Sequence, residues 1–258
     1  MSSRPLYCAA GDIHGALDRL YADVLAFEAA LGDRFAHVLH VGDFGIWPDP
    51  ERVDRATRAH DGPGDFPRWF AECAAAPRPT LFIAGNHEDF EFLGALRGDE
   101  VLPGLRYLRS GEATLLAGGV RVAGIGGCYG ASDYELPTKK LQGGARRHYT
   151  HEQVERVGRH GRIDLLLLHD APSGTRLARR LPSGTLQPYV SEAAGLGDAV
   201  ARTRPKACFF GHHHQRVDAE VSGVRCIGLN AVGRSGNLVA FALQDDECEI
   251  VAEWPGAT

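Results

Sequence analysis

The apolar residues of this chain gather in short runs, and most of these runs stop at a polar cluster. Leu6–Ala10, His37–Val41, Thr80–Ala84, Ile163–Leu168 and Ala207–Phe210 read as strands. Such continuous runs suit a sheet covered on both faces. Ala16–Leu31 carries Leu17, Leu20, Tyr21, Val24 and Leu31 at helical spacing. Shorter helices are predicted near Glu51–Ala59, at Arg68–Ala76 and at Asp89–Leu96, the last opened by acidic residues that favour a helix N-terminus.

After Gly98 the pattern changes. Tyr107–Arg109, Ala113–Leu116 and Val120–Ile125 read as short antiparallel strands with glycine turns. Thr150–Val157 reads as a helix, with Thr150 and Gln153 spaced for a capping box. Ser191–Thr203 is a further helix, and Arg216–Val221, Val224–Leu229, Leu238–Leu243 and Glu249–Glu253 are strand-like. Two stretches read as loops: Gly126–Tyr149, too long for a mere connector, and the Pro/Gly-containing Ala171–Pro188. Strand–helix alternation early and strands late predict an α/β protein of two packed mixed sheets with helices outside. No linker divides residues 1–258, which read as a single domain.

Composition narrows the class. The chain has 258 residues and a net charge of −5, so its surface as a whole attracts no polyanion. No apolar stretch is long enough to span a bilayer, and the N-terminus reads as lacking a signal peptide. The six cysteines contain no C-x-x-C pair and read as buried free thiols of a cytoplasmic protein.

The polar clusters are Gly11-Asp12-Ile13-His14, Gly42-Asp43, Gly85-Asn86-His87-Glu88, His169-Asp170 and Gly211-His212-His213-His214. In open α/β sheets, ligands sit beyond the carboxyl ends of strands. If these strands are neighbours, their tips converge and build a metal centre. Asp12, His14, Asp43 and His214 are assigned to one ion; Asp43, Asn86, His169 and His212 hold a second, with Asp43 bridging. Nitrogen and oxygen donors without thiolate favour Mn, Fe or Zn. Two divalent ions against two carboxylates leave positive charge for a phosphate. They clamp both oxygens of an in-line displacement and acidify a bridging water, whose hydroxide is the nucleophile.

His87 is positioned to donate a proton to the leaving oxygen, with Glu88 orienting its ring and Asp170 orienting a ligand histidine. His37, His40, His60, His151, His160 and His213 read as ordinary polar residues. His213 alternates with two ligands and is expected to point away. The Gly126–Tyr149 loop interleaves aromatics with cations, which suits phosphates and stacked bases. Tyr129, Tyr134, Arg146, Arg147 and His148 are its candidate substrate contacts, although tyrosines facing the core are the alternative. Arg176, Arg179 and Arg180 read as a solvated helix face.

In order, D-x-H, GD, GNH, H and GHxH resemble the signature blocks of the calcineurin-like metallophosphoesterase superfamily. That resemblance implies a four-layer α/β/β/α sandwich, a dinuclear site and phosphoester hydrolysis. Gly85-Asn86-His87-Glu88, Gly124-Ile125-Gly126-Gly127-Cys128-Tyr129 and Leu168-His169-Asp170-Ala171-Pro172 look like segments of the lariat RNA debranching enzymes. Asp12 stands where those enzymes often carry Cys, which points to another diester substrate of nucleotide or RNA type. Phe44-Gly45 follows Asp43 where phosphoprotein phosphatases place an arginine, which argues against that subgroup. A phosphomonoesterase, or a nucleotide-binding module with weak activity, are the alternatives.

Overall fold

The computed structural model describes residues 4–59, 62–245 and 247–255; His60 lies outside the described residues. Strands and helices alternate at first: β1 (Leu6–Ala10), α1 (Leu17–Leu31), β2 (Phe35–His40), α2 (Arg55–Ala59), α3 (Phe66–Ala71), β3 (Thr80–Phe82) and α4 (Phe90–Ala95). Four short strands follow: β4 (Glu100–Leu102), β5 (Leu105–Tyr107), β6 (Ala113–Leu115) and β7 (Arg121–Ile125). Next come α5 (His151–Arg159), β8 (Leu165–Leu168), β9 (Arg176–Arg180), β10 (Leu186–Val190) and α6 (Leu196–Thr203). The last strands are β11 (Ala207–Phe210), β12 (Val217–Val221), β13 (Val224–Gly228), β14 (Leu238–Gln244) and β15 (Glu247–Glu253).

The strands form two large mixed sheets, ordered β15-β14-β1-β2-β3-β5-β4 and β12-β13-β11-β8-β7-β6. Each has a parallel centre and antiparallel edges. Side-chain alternation along the strands sorts three cores. Tyr7, Ala9, Leu39 and Ile83 of the first sheet meet Val122, Leu165, Leu167 and Phe209 of the second. Cys8, Ala10, Val38 and Phe82 face the other way, onto Leu17, Leu20, Tyr21 and Val24 of α1. Leu166, Leu168, Cys208 and Phe210 do the same toward α5 and α6. Each large apolar side chain among these, fully buried, stabilises the fold by roughly 1.5–3 kcal/mol. The expected capping box is present: Thr150 N–H donates to the Gln153 side chain at 2.9 Å.

Register sets up the site. Ala10 pairs with His40, and His40 with Phe82, so β1, β2 and β3 end side by side. In the second sheet Leu168 pairs with Phe210, so β8 and β11 end together. All five polar clusters therefore leave parallel neighbours at their carboxyl ends.

Three readings need correction. Ala171–Pro188 is not all loop, and the arginine cluster is not a helix face: Arg176, Arg179 and Arg180 lie on β9, paired with β10 in a separate two-stranded ribbon. Leu177 alone is buried on it, while Leu186 and Val190 remain exposed, so no legible alternation was imposed. All six cysteines are free, but Cys73 is exposed and Cys128 and Cys248 are only partly buried.

Candidate metal centre

The strand tips are stitched together through backbone groups. Ile13 N and His14 N donate to the Asp43 carbonyl at 3.1 and 2.9 Å. Asn86 N and His87 N donate to Asp43 Oδ1 at 2.6 and 2.8 Å. His212 N donates to both Asp12 oxygens, at 3.1 and 3.0 Å. Each ligand-type carboxylate is thus held by the loop of another strand. This close approach explains two glycines: a Cβ on Gly85 would overlap Asp43, and one on Gly211 would overlap Asp12.

The local backbone is strained. His14, Asp43, His212 and His214 have φ of 47°, 52°, 65° and 50°, half of the non-glycine residues with positive φ among the described residues. Such conformations cost about 1–3 kcal/mol each and gather at functional sites. They also break strand alternation at 211–214. That is why His213 does not turn away as expected but joins the cluster.

Three groups of donors result among the described residues, two of them within the expected ligand sets and the third of Asp170, His212 and His213. Asp12, His14 and His214 bring one donor atom each within 4.8 Å of one another, and Asp43, His169 and His212 do the same. Asp43 stands between them, Oδ2 4.0 Å from His14 Nδ1 and Oδ1 3.5 Å from His169 Nε2. Asn86 Oδ1 lies 3.0 Å from His169 Nε2. His169 Nδ1 faces the Val41 carbonyl at 2.9 Å and must donate to it. In the neutral ring, Nε2 then points a lone pair at the Asn86 oxygen, so a proton or a cation belongs between them. A divalent cation meets that need, so the residues fit the metals they imply.

The charges agree. Burial raises Asp12, but the hydrogen bond from His214 and the neighbouring imidazoles outweigh it and hold the carboxyl well below its usual range. Burial and then the charge of His169 push His212 down to about 4, leaving a neutral ring able to ligate. At His169 burial opposes the charge, yet the Asp43 and Asp12 carboxylates prevail and raise it, so without metal a proton competes for the place of the cation.

His87 stands beside the first group, its ring 5.4 Å from that of His14. Its Nδ1 is 2.9 Å from Thr57 Oγ1, so Thr57 and not Glu88 orients it. Glu88 instead accepts from Phe44 N, Gly45 N, Ile46 N and Gly85 N, tying the loop after β2 to the loop after β3. Burial, followed by the Asp43 charge, pushes Glu88 up to about 8. Asp170 also differs from expectation: its carboxylate accepts from His213 Nε2 at 2.9 Å rather than orienting a ligand histidine. Against burial, that hydrogen bond pulls Asp170 down to about 2.

Comparison with known proteins agrees with this arrangement. The calcineurin-like phosphoesterase family matches residues 7–216. The chain belongs to this family. Lariat debranching enzymes are similar along it: 24% identity with that of Entamoeba histolytica, over 95% of this chain and 77% of the relative. The Drosophila melanogaster enzyme is 31% identical over 82% of this chain and 43% of its own length, and that of Schizosaccharomyces pombe 30% over 82% and 48%. The chain thus spans less than half of these last two. Among solved structures, TT1561 of Thermus thermophilus superposes with a TM-score of 0.56 at 14% identity, covering 96% of this chain and 98% of that one. A putative 5′-nucleotidase from Staphylococcus aureus gives 0.54 at 14%, covering 99% and 55%. At this identity they show a shared fold.

On this calcineurin-like scaffold the 126–149 loop divides its candidates. Tyr134 is buried among Tyr129, Tyr149 and His151 and belongs to the core, as the alternative reading held. Arg146 donates to the Leu141 carbonyl and lines a cavity beside α4 with Phe90 and Leu93. Arg147 faces Asp54 at 3.6 Å. His148 lies between Cys128 and Asp133, Nε2 3.8 Å from the latter. Tyr129 alone of the five borders Asp170, to which its N–H donates at 2.9 Å. Sequence reasoning missed Thr57, which sits in a Gly/Pro/Asp-rich segment with no motif, and Tyr189, 2.9 Å from His213.

Proposed function

We propose that this protein is a dinuclear metal-dependent phosphoesterase, acting on phosphodiesters of nucleotide or RNA type. The observation that carries this reading is the pair of ligand groups sharing Asp43 as a wall. When bound, two divalent ions (Mn, Fe or Zn) would polarise the phosphoryl group and supply an acidified water. Asp12, His14, Asp43 and His214 would hold one ion, and Asp43, Asn86, His169 and His212 the other. Two carboxylates against two dications leave a positive pocket for the phosphate.

His87 then serves the leaving group. With Nδ1 engaged by Thr57, Nε2 is the atom assigned to deliver a proton to the departing oxygen. Glu88 keeps the two loops that carry Asp43 and Asn86 in fixed relation. Similarity to enzymes named for lariat debranching supports a diester, as do Tyr129, Tyr189 and Arg179 beside Asp170 and His213. Three packed cores support a four-layer α/β/β/α sandwich in a single domain. Six unpaired thiols support a cytoplasmic setting.

The test is turnover of bis-p-nitrophenyl phosphate and p-nitrophenyl phosphate by Mn-loaded protein, with metal content measured on the same sample. Faster diester hydrolysis is expected. Monoester preference would replace this reading by a phosphomonoesterase. No turnover of either, with two metals per chain, would leave a nucleotide-binding module.

A further inference from the structure

A hydrogen-bonded line leads away from the second ligand group. His213 Nε2 lies 2.9 Å from Asp170 Oδ1 and must donate to it; His213 Nδ1 lies 2.9 Å from Tyr189 Oη. In the neutral ring that second nitrogen accepts, so the phenol donates to it. The line ends on β10, in the ribbon that stands apart from both large sheets. Across the ribbon, Arg179 Nε donates to Gln187 at 2.8 Å, which fixes the plane of its guanidinium. The Arg179 charge also reaches the Tyr189 hydroxyl. Arg179, Tyr189, Tyr129, Glu192, Asp170 and His213 line one cavity of about 410 Å³. His212 groups with Asp43 and His169 and equally with Asp170 and His213, so this cavity adjoins the place of the second ion.

Resting on the phosphoesterase reading above, we propose that this cavity is a subsite for the nucleotide unit attached to the reacting phosphate. Tyr189 takes the base or sugar and Arg179 takes that unit's next phosphate. A guanidinium fixed in plane matches a phosphate with two parallel hydrogen bonds. A phenol ring offers a face on which any base stacks, worth about 1–3 kcal/mol. Glu192 supplies an acceptor suited to sugar hydroxyls. Arg176 and Arg180, exposed on the same strand, attract a polyanion toward a protein whose net charge repels it. Asp170 and His213 are positioning residues: the line from Asp170 through His213 holds the Tyr189 hydroxyl.

The test is calorimetric titration of Mn-loaded protein with inorganic phosphate, AMP and adenosine 3′,5′-bisphosphate. Wild type is expected to bind the bisphosphate about 10-fold tighter than AMP. Arg179→Ala removes that preference. Tyr189→Ala weakens AMP and bisphosphate alike by about 10-fold and leaves phosphate affinity in place. Tyr189→Phe keeps most of the AMP affinity, because the ring remains. A wild type that binds the three probes equally overturns the subsite, and so do variants that weaken phosphate as much as bisphosphate. Hydrolysis of bis-p-nitrophenyl phosphate, run in parallel, reports separately on the phosphoesterase reading. Turnover without this order of affinities sinks the subsite alone; the order of affinities without turnover sinks the hydrolase and leaves the subsite.

Discussion

The strand-tip cage and the ribbon beside it solve opposite problems. In the cage, Asp12, Asp43 and His169 are buried, and Asp12 and Asp43 are each held by backbone donors from another strand's loop. Its geometry is over-determined, which is what lets four positive-φ residues persist there. The ribbon is held by β9–β10 pairing and the Arg179–Gln187 bond, and joins the body through buried Leu177, Ala178 N donating to Gln215, and the Tyr189–His213 bond. It offers cations and apolar side chains to solvent. The lesson is a division of labour: rigid tips for chemistry, which tolerates no displacement, and a lightly anchored rim for recognition, which tolerates exchange.

Substitutions can break this division. The largest effect is expected for Asp43→Ala, which removes the wall common to both ligand groups. Metal affinity should fall by more than about 100-fold, the upper figure for losing a mere outer partner of a ligand. Metal analysis of dialysed protein checks this, and full occupancy in the variant would dissolve the cage as described. Next, His87→Ala should keep both metals and lose about 10²–10⁴-fold in kcat. Thr57→Val should fall between that variant and wild type, with an altered pH–rate profile, because the ring survives but loses its orientation. Equal rates for Thr57→Val and wild type would remove the positioning role.

Glu88→Gln probes rigidity without touching a metal donor. Its amide NH₂ would face backbone donors now met by a carboxyl oxygen, costing about 1–3 kcal/mol. Urea denaturation of metal-free protein reads this directly. A variant as stable as wild type would show that the loop ties are dispensable.

The smallest effect lies far from the site. Asp164 accepts from Arg121 N at 2.8 Å and faces Lys206 Nζ at 3.1 Å. Burial opposes, but these donors prevail and lower its pKa below the ordinary value of 3.8. A depressed carboxylate stabilises the fold above its unfolded pKa and loses that contribution as pH falls through the folded one. Asp164→Asn should therefore cost about 1 kcal/mol at neutral pH, with the gap to wild type closing below pH 3.8. A gap independent of pH would assign the loss to packing.

Most elements were legible because their burial leaves a period. β1, β8 and β11 are buried at every residue, and α1 buries one stripe, so pattern alone located them. The ligand residues were legible because five tips carried the same kinds of donor. What escaped has a common cause. The ribbon buries Leu177 alone, too little to print a pattern. Glu88 looked like a partner for its neighbour His87, yet its side chain reaches residues some forty positions earlier. His213 was misplaced by assuming that strand geometry continues past Gly211, where His212 and His214 take positive φ.

Local sequence therefore determined the buried strands that carry the site, where each ends and which donors stand there, since burial and donor chemistry are written residue by residue. Only the tertiary structure decided who orients His87, what Asp170 holds and what lies beside the second ion. Those relations join residues 24 to 44 positions apart, among them 57 with 87 and 170 with 213. No local pattern encodes such a distance; the register of parallel strands does.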